Sequence, residues 1–234
     1  DGLTNLSGMA INLSYASITA PTVATAMGGT IVLGGGSGVA GADLAAGTAG
    51  YLATAAGDST TTMVRDTLTS IENVTGSALN DYIVGSGSDN VITGGAGADV
   101  LTGGLGADTF VFAAGDSLQA SMDVVQDFQA SGTDKLQIAG LPHPGVVTVD
   151  MSSYASFNHL IAAGNGRLIG YSTYGSVFVG RVGTDVYVIT DSASHDHSFT
   201  ANDTVVKLVG VSIFDMDHTD FVGGTSTRTV NFPL

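Results

Sequence analysis

Aspartate side chains recur at a fixed spacing within a glycine-rich stretch in the middle of the chain. The stretch divides without remainder into four nonapeptides, GSALNDYIV (76–84), GSGSDNVIT (85–93), GGAGADVLT (94–102) and GGLGADTFV (103–111). The last two match the pattern G-G-x-G-x-D-x-U-x, where U is a large apolar residue, at every fixed position. Calcium is a hard cation that takes about six to eight oxygen ligands, from carboxylates and backbone carbonyls alike. One aspartate per loop, together with backbone carbonyls, predicts a calcium-binding parallel β-roll.

Each nonapeptide predicts a six-residue loop followed by a three-residue strand whose middle residue points inward. The inward positions are Ile83, Ile92, Leu101 and Phe110. Because two nonapeptides complete one turn of a roll, loops on the same edge lie eighteen residues apart in sequence. We therefore expect Asp81 to stack near Asp99. By the same spacing, Asn90 should stack near Asp108.

The predicted calcium ligands are the loop residues that can offer a side-chain or backbone oxygen. This set contains Gly76, Ala78, Asn80, Asp81, Gly85, Gly87, Asp89, Asn90, Gly94, Gly95, Gly97, Asp99, Gly103, Gly104, Gly106 and Asp108. Glycine is needed because such loops turn through positive φ, which a Cβ penalises. Without metal, stacked loops would set like charges side by side with little apolar surface to offset them. We therefore interpret calcium as a ligand that folds the segment.

The first two nonapeptides match the pattern less well than the last two. Ser77 and Leu79 replace glycines in the first unit, and Asn90 replaces the aspartate in the second. We predict two well-formed sites between alternate loops and leave a third open. A flexible glycine-rich linker is the alternative interpretation, but a linker has no use for a regularly spaced apolar residue.

Three further aspartates follow the last repeat, in DVVQDFQASGTD (123–134). Asp123, Asp127 and Asp134 could ligate calcium at the final turn of the roll. In the alternative interpretation, Asp127 and Asp134 cap or shape turns. We include Asp127 and Asp134 in the predicted ligand set.

The segments on both sides of the repeats resemble those of a known family. The run DTLTSIENVTGSALNDYIVG (66–85) is similar to the segment that precedes the repeats of RTX (repeats-in-toxin) proteins. GADTFVF (106–112) and DVVQDFQASGTDKLQIAG (123–140) are similar to their closing segments. The resemblance covers roughly residues 66–222. It implies type I secretion from Gram-negative cells in an unfolded state, an uncleaved C-terminal signal, and folding outside the cell by calcium.

A second resemblance concerns the C-terminal part. VGTDVYVITDSA (182–193) and NDTVVKLVGV (202–211) form a strand–turn–strand pattern that resembles the ends of type I-secreted proteins. Among these, it is most similar to RTX-type bacterial S-layer proteins. The resemblance implies a surface or self-assembling structural protein.

The chain is acidic and almost free of glutamate. Its net charge is −15, with six basic residues against twenty aspartates and the single Glu72. Aspartate dominates where short side chains ligate metal or shape turns, and the acidity argues against nucleic acid, which needs a basic surface. Cysteine is absent, so disulfides and thiol chemistry are excluded. No membrane-span-length apolar run or N-terminal signal is visible, and because the chain begins with Asp1 we expect a fragment or a processed product.

The predicted fold class is all-β. A parallel β-roll at 76–111 is flanked by a β-rich N-terminal segment at 1–75, which stacks on the roll. A closing region at 112–222 contains a β-meander, one short helix and the secretion signal, and a polar tail follows at 223–234. The chain is long enough to bury a core in one or two domains.

Within the closing region, SSYASFNHLIAAG (152–164) is the best helix candidate, with Ser152 or Ser153 as its N-cap and Gly164 at its end. The meander is predicted to begin with the strands GRLIGYST (166–173) and SVFVGRVG (176–183).

Two patterns suggest catalysis or zinc, and we adopt neither. GDSL (115–118) and DMDH (215–218) resemble the serine and D-x-x-H strings of GDSL-type hydrolases, but no α/β pattern surrounds the serine. His195, His197 and His218 could bind zinc with nearby aspartates, but incidental histidines on a surface loop are the default. We expect no catalytic site in this chain.

The predicted function is that of a calcium-binding extracellular structural protein of the S-layer or adhesin type. We expect it to form a homo-oligomer or lattice on the cell surface and to meet the type I secretion machinery during export. The alternative is the C-terminal secretion and folding module of a secreted hydrolase, such as a protease or lipase. Ordered oligomers on calcium addition favour the first interpretation, and a calcium-loaded monomer favours the second.

Overall fold

Over the residues that it describes, the computed structural model is all-β with one short α-helix, as the sequence predicts. It describes residues 71–130, 132–141, 145–149, 156–167, 176–190, 199–224 and 226–229, and before residue 71 the strands alone. The predictions for His195, His197 and the helix cap at Ser152 or Ser153 lie outside these residues.

The N-terminal segment contributes short strands. They are β1 (Leu3–Asn5), β2 (Ala10–Asn12), β3 (Ile18–Thr19), β4 (Val23–Ala24), β5 (Thr30–Ile31), β6 (Asp43–Leu44), β7 (Thr48–Ala55) and β8 (Thr61–Thr67). Strand β7 pairs antiparallel with β1, β2 and β8. Two small sheets form from β3 with β6 and from β4 with β5.

The repeats and the segments beside them form the roll. Its strands are β9 (Asn73–Thr75), β10 (Tyr82–Ser86), β11 (Val91–Thr93), β12 (Val100–Gly104), β13 (Thr109–Phe112), β14 (Asp123–Val125) and β15 (Lys135–Ile138). Successive strands alternate between two parallel sheets, in the orders β9-β11-β13-β15 and β10-β12-β14. On the N-terminal side β2 pairs in parallel with β10, so the N-terminal segment extends one of the roll's own sheets.

Side chains at the inward position of each nonapeptide fill the space between the two sheets. The fully buried ones are Ile83, Ile92, Leu101 and Phe110. Ile83 lies beside Leu101 in the pairing of β10 with β12. Ile92 lies beside Phe110 in the pairing of β11 with β13. The predicted frame, in which a loop is followed by a strand with one inward residue, is therefore confirmed.

Shortening one of these side chains should destabilise the roll, whereas shortening an exposed leucine of the next loop should not. Leu101 is completely buried, and Leu105 is 71% exposed. We expect Leu101→Ala to lower the free energy of unfolding by about 2–5 kcal/mol through lost burial and a cavity. Leu105→Ala should stay within about 0.5 kcal/mol of wild type. Urea unfolding in saturating calcium measures both, and equal losses would contradict the assigned core.

The larger sheet continues past the roll into the closing region. Its strands there are β16 (Gly145–Val149), β17 (Ser176–Val182), β18 (Asp185–Thr190), β19 (Thr204–Leu208) and β20 (Ser226–Thr229). Strands β17, β18 and β19 form the predicted antiparallel meander. Strand β19 pairs in parallel with β14 and so joins the meander to the roll. Strand β20 pairs in parallel with β16, which places part of the polar tail in the sheet.

The helix α1 (Phe157–Arg167) continues beyond its predicted end. Gly164 lies inside it, because the carboxamide of Asn165 holds the last turn in place. Nδ2 of Asn165 donates to the Phe199 carbonyl at 3.2 Å, and its Oδ1 accepts the Phe199 N–H at 2.5 Å. These tertiary bonds outweigh the low helix propensity of glycine. The strand predicted at 166–173 is therefore wrong at its first two residues, which are helical. Leu160 fixes the helix on the sheet, since its side chain fills the space above Gly180.

Candidate metal centre

A ladder of three aspartates runs along one edge of the roll. The Asp81 N–H donates to Oδ1 of Asp99 at 2.7 Å, and the Asp99 N–H donates to Oδ1 of Asp123 at 2.9 Å. All three side chains are completely buried. The predicted stacking of Asp81 near Asp99 is thus present, and Asp123 continues the ladder beyond the last nonapeptide.

The opposite edge carries a similar ladder that begins with an amide. The Asn90 N–H donates to Oδ1 of Asp108 at 2.8 Å, and the Asp108 N–H donates to Oδ1 of Asp134 at 3.1 Å. The second oxygen of Asp134 accepts the Gln129 N–H at 3.0 Å. The predicted stacking of Asn90 near Asp108 is present, and Asp134 lies in line with both.

Three buried carboxylate oxygens of the ladders have no hydrogen-bond partner among the described residues. They are the Oδ2 atoms of Asp99, Asp108 and Asp123. Burial raises the pKa of Asp99 to about 8 and that of Asp108 to about 6, and it raises the pKa of Asp123 well above its ordinary value. A buried carboxylate without a partner is costly. These oxygens are therefore where a cation would be most stabilising.

Each unpaired oxygen of the third and fourth loops faces the first glycine of its own loop. A Cβ on Gly94 would overlap with Oδ2 of Asp99, and a Cβ on Gly103 would overlap with Oδ2 of Asp108. The second glycine of the third loop, Gly95, has φ +100° and lies against the carbonyl of Ser77 in the first loop, which precedes it on the same edge. The loops are thus closely stacked cradles that leave no room for side chains at these positions.

The donor set of these cradles fits calcium. Among the residues that the structure describes, no three histidine, cysteine, aspartate or glutamate side chains converge in a way that could hold a metal by themselves. Backbone oxygens are also present beside the carboxylates, since the Gly94 and Gly103 carbonyls lie against the first glycines of the preceding loops on their edges. Carboxylate and carbonyl oxygens suit calcium and not softer metals. Bound calcium supplies the positive charge that the buried carboxylates lack.

The remaining predicted side-chain ligands lie along the same edges but are engaged by backbone N–H groups. Asp127 accepts the N–H of Gly103 and of Gly104, both at 2.8 Å. Oδ1 of Asn80 accepts the Ala98 N–H at 2.9 Å, and Oδ1 of Asp89 accepts the Ala107 N–H at 2.8 Å. These three side chains therefore hold the neighbouring loop on their edge in place.

The serine of the GDSL string is buried and its hydroxyl is fully used. Oγ of Ser117 donates to the Val205 carbonyl at 2.5 Å and accepts the Asp123 N–H at 2.8 Å. This serine fixes the start of β14 against β19. His218, the histidine of the DMDH string, lies in a short 3-10 helix (His218–Asp220) that Asp217 and Asp220 close with a capping box.

Asp220 gives this helix a defined pH dependence. Burial raises the pKa of its carboxyl from 3.8 to about 6, partly offset by the bond that its Oδ2 accepts from the Asp217 N–H at 2.6 Å. Because the folded pKa lies above the ordinary one, its stabilisation is complete below about pH 4 and is lost as the pH rises through about 6. Asp220→Asn should therefore gain up to about 2–3 kcal/mol over wild type between about pH 4 and pH 7.

Urea unfolding of both proteins across this pH range in saturating calcium measures the gain. The exposed Asp215 provides the matched control. Its charge is the smallest of the contributions to the raised pKa of Asp220, so we expect Asp215→Asn to keep most of the pH dependence of wild type. A wild type and an Asp220→Asn variant with parallel stability curves would show that Asp220 does not titrate in this range.

Comparison with known proteins supports the chemistry deduced from the ladders. Residues 75–110 match the family described as the RTX calcium-binding nonapeptide repeat, in four copies. None of the curated proteins matches the chain. Among the described residues, no helix has the length and apolar character needed to cross a membrane. Residues 75–110 are therefore an array of RTX calcium-binding nonapeptide repeats, and calcium is the cofactor of this chain.

Proposed function

We propose that this chain is part of an extracellular structural protein of the S-layer or adhesin type, which calcium folds and assembles on the cell surface. The observation that carries the calcium-dependent part is the set of buried, unpaired carboxylate oxygens on Asp99, Asp108 and Asp123. They make the folded roll costly without a cation and stable with one. RTX repeat proteins are typically secreted, and calcium is plentiful outside cells.

This chemistry fits export through a type I secretion system, which passes unfolded chains. Inside the cell, low calcium leaves the ladder carboxylates in water, where they repel one another. Outside, calcium binding at about 10⁻⁴–10⁻³ M, as in other extracellular modules, would close the loops in turn. The roll would then template the parallel pairing of β14 with β19, through which the closing region joins the sheet.

The structural role is favoured over catalysis by the state of the serine in the GDSL string. Ser117 donates its hydroxyl proton to a backbone carbonyl and is completely buried. A nucleophilic serine instead needs an accessible hydroxyl beside a base. We propose that this chain has no catalytic site of its own.

Assembly is the test that separates the structural role from the secretion-module alternative. Sedimentation velocity in millimolar calcium and in chelator should show large ordered assemblies with calcium and small species without it. An Asp99→Asn/Asp108→Asn variant is the control, since it loses one carboxylate from each edge, and we expect it to stay unassembled at calcium concentrations that assemble wild type. A calcium-loaded wild type that remains a compact monomer would contradict the structural role and favour the secretion module.

A further inference from the structure

The loops of the four nonapeptides are closed in two different ways. In the first two, the second residue is a serine that bonds to the sixth residue of its own loop. Ser77 donates its N–H to Oδ2 of Asp81 and its hydroxyl to Oδ1 at 3.0 Å. Ser86 donates its N–H at 2.7 Å and its hydroxyl at 3.2 Å to Oδ1 of Asn90. The first two loops are thus closed by hydrogen bonds onto the side chain at the ligand position.

The third and fourth loops lack this closure. Their second residues are Gly95 and Gly104, which have no hydroxyl, and the inward oxygens of Asp99 and Asp108 have no hydrogen-bond partner among the described residues. The same backbone frame therefore presents an engaged oxygen in the first two loops and an unpaired one in the last two.

The loop of residues 85–90 goes further, because its sixth residue is neutral. Nδ2 of Asn90 donates to the Glu72 carbonyl at 3.2 Å, which belongs to the chain segment eighteen residues earlier on the same edge. Its Oδ1 faces the first glycine of its own loop, Gly85. Asn90 is almost completely buried. The carboxamide thus satisfies its oxygen within its own loop and bridges to the preceding segment with its nitrogen.

We propose that the Asn90 loop (residues 85–90) takes no calcium and is a hydrogen-bonded rung that replaces one. The carboxamide links two successive segments of the edge, as a cation would, but without charge. Calcium is instead held from the loops of Asp99 and Asp108. Asn90 belongs to the ligand set predicted from the repeat frame, and its contacts assign it a different role. This inference rests on the proposed calcium-binding role of the repeats and identifies the loop of the array that does not share that role.

Two features of the loop explain why a cation would be excluded. The side chain of Asn90 is neutral, and its nitrogen donates to the Glu72 carbonyl, so it brings no negative charge to a cation beside Oδ1. Oδ1 of Asn90 already accepts the N–H and the hydroxyl of Ser86, and this hydroxyl is itself held by the Ser88 N–H at 3.1 Å. Replacing the closure needs both a carboxylate at position 90 and a glycine at position 86, as in the third and fourth loops.

Native mass spectrometry across a calcium series tests the assignment by counting ions per chain. Asn90→Ala removes the only side-chain oxygen that the sixth residue could offer, so we expect it to keep the full number of bound ions. Ser86→Gly/Asn90→Asp rebuilds the pattern of the third loop, and we expect one ion more than wild type. Asn202→Asp adds the same charge at an exposed site outside the roll and should leave the number unchanged.

Each outcome separates this inference from the proposed function. One ion fewer in Asn90→Ala, or no gain in Ser86→Gly/Asn90→Asp, would overturn the assignment of a calcium-free rung while leaving calcium binding intact. A wild-type chain that binds no calcium would overturn the proposed function, and this inference with it. If Asn90→Ala does not fold, the gain or absence of an ion in the double variant still decides.

Discussion

Replacing Asp99 with asparagine is expected to weaken calcium binding by about ten- to a hundredfold and to stabilise the calcium-free chain. Oδ1 can keep the bond from the Asp81 N–H, so the ladder geometry survives. The substitution removes a buried charge whose Oδ2 is unpaired. When calcium is bound, the charged carboxylate is one of its ligands, and losing a bond to a charged group costs about 1.5–3 kcal/mol. Without calcium the same charge is a burden, because burial disfavours it.

The substitution is thus expected to be unfavourable when calcium is bound and favourable when it is absent. This opposite effect distinguishes a metal ligand from a structural aspartate. Isothermal titration calorimetry gives the calcium affinity, and thermal unfolding in chelator gives the stability of the calcium-free chain. Asp215→Asn, at an exposed carboxylate outside the roll, should change neither by more than about 0.5 kcal/mol. An Asp99→Asn variant that is destabilised equally with and without calcium would mean that Asp99 serves only to hold the turn.

Replacing Gly95 with alanine should disrupt the roll outright. Gly95 has φ +100°, and a Cβ there would overlap with the backbone carbonyl of Ser77. A backbone carbonyl cannot move aside as a flexible side chain can, so the cost of the positive φ adds to the cost of the overlap. We expect a loss of more than about 4 kcal/mol in saturating calcium, a size that only a few mechanisms produce. Urea unfolding of the folded fraction measures the loss.

Gly140 is the matched control for the contribution of backbone conformation alone. It has φ +80°, and a Cβ there would meet nothing within 4 Å. Gly140→Ala therefore pays the left-handed strain, about 1–2 kcal/mol, without the overlap. Similar losses in the two variants would contradict the close stacking of the loops.

The repeat frame was predictable because nine-residue periodicity fixes both sheets and edges at once. An apolar residue at the eighth position must face the core, and a spacing of eighteen residues must return to the same edge. The burial of Ile83 and the contact between Asp81 and Asp99 follow from those two facts alone. Local pattern suffices wherever structure repeats at a fixed period.

What the sequence could not predict depends on contacts between distant segments. Asp123 continues the ladder twenty-four residues after Asp99, because the turn before it is longer than a nonapeptide and breaks the count. Its place is set by Ser117, which bonds to the Val205 carbonyl eighty-eight residues away. Helix α1 continues past Gly164 for a similar reason, since Asn165 forms a hydrogen bond with the distant Phe199. Periodicity carries no information about such pairings.

The positions of Asp127 and Asp134 relative to the ladders also lay beyond the sequence. Asp127 and Asp134 are seven residues apart in a segment without repeats. The structure places Asp134 in the ladder beneath Asp108. Both carboxylates accept backbone N–H groups through both oxygens, Asp127 from the glycines of the fourth loop and Asp134 from Asp108 and Gln129. Asp134 directly precedes the strand β15, which pairs with β13, and the sequence alone does not show this pairing.

A calcium titration of chelator-treated protein, followed by far-UV circular dichroism, tests most directly whether calcium folds the roll. The sweep should bracket about 10⁻⁴–10⁻³ M. We expect a cooperative gain of β-signal as the carboxylates of the two ladders acquire their cations, and the loss of this gain on addition of chelator. A spectrum that is fully β-structured in chelator and unchanged by calcium would contradict this expectation, because the roll would then bear its buried carboxylates without metal.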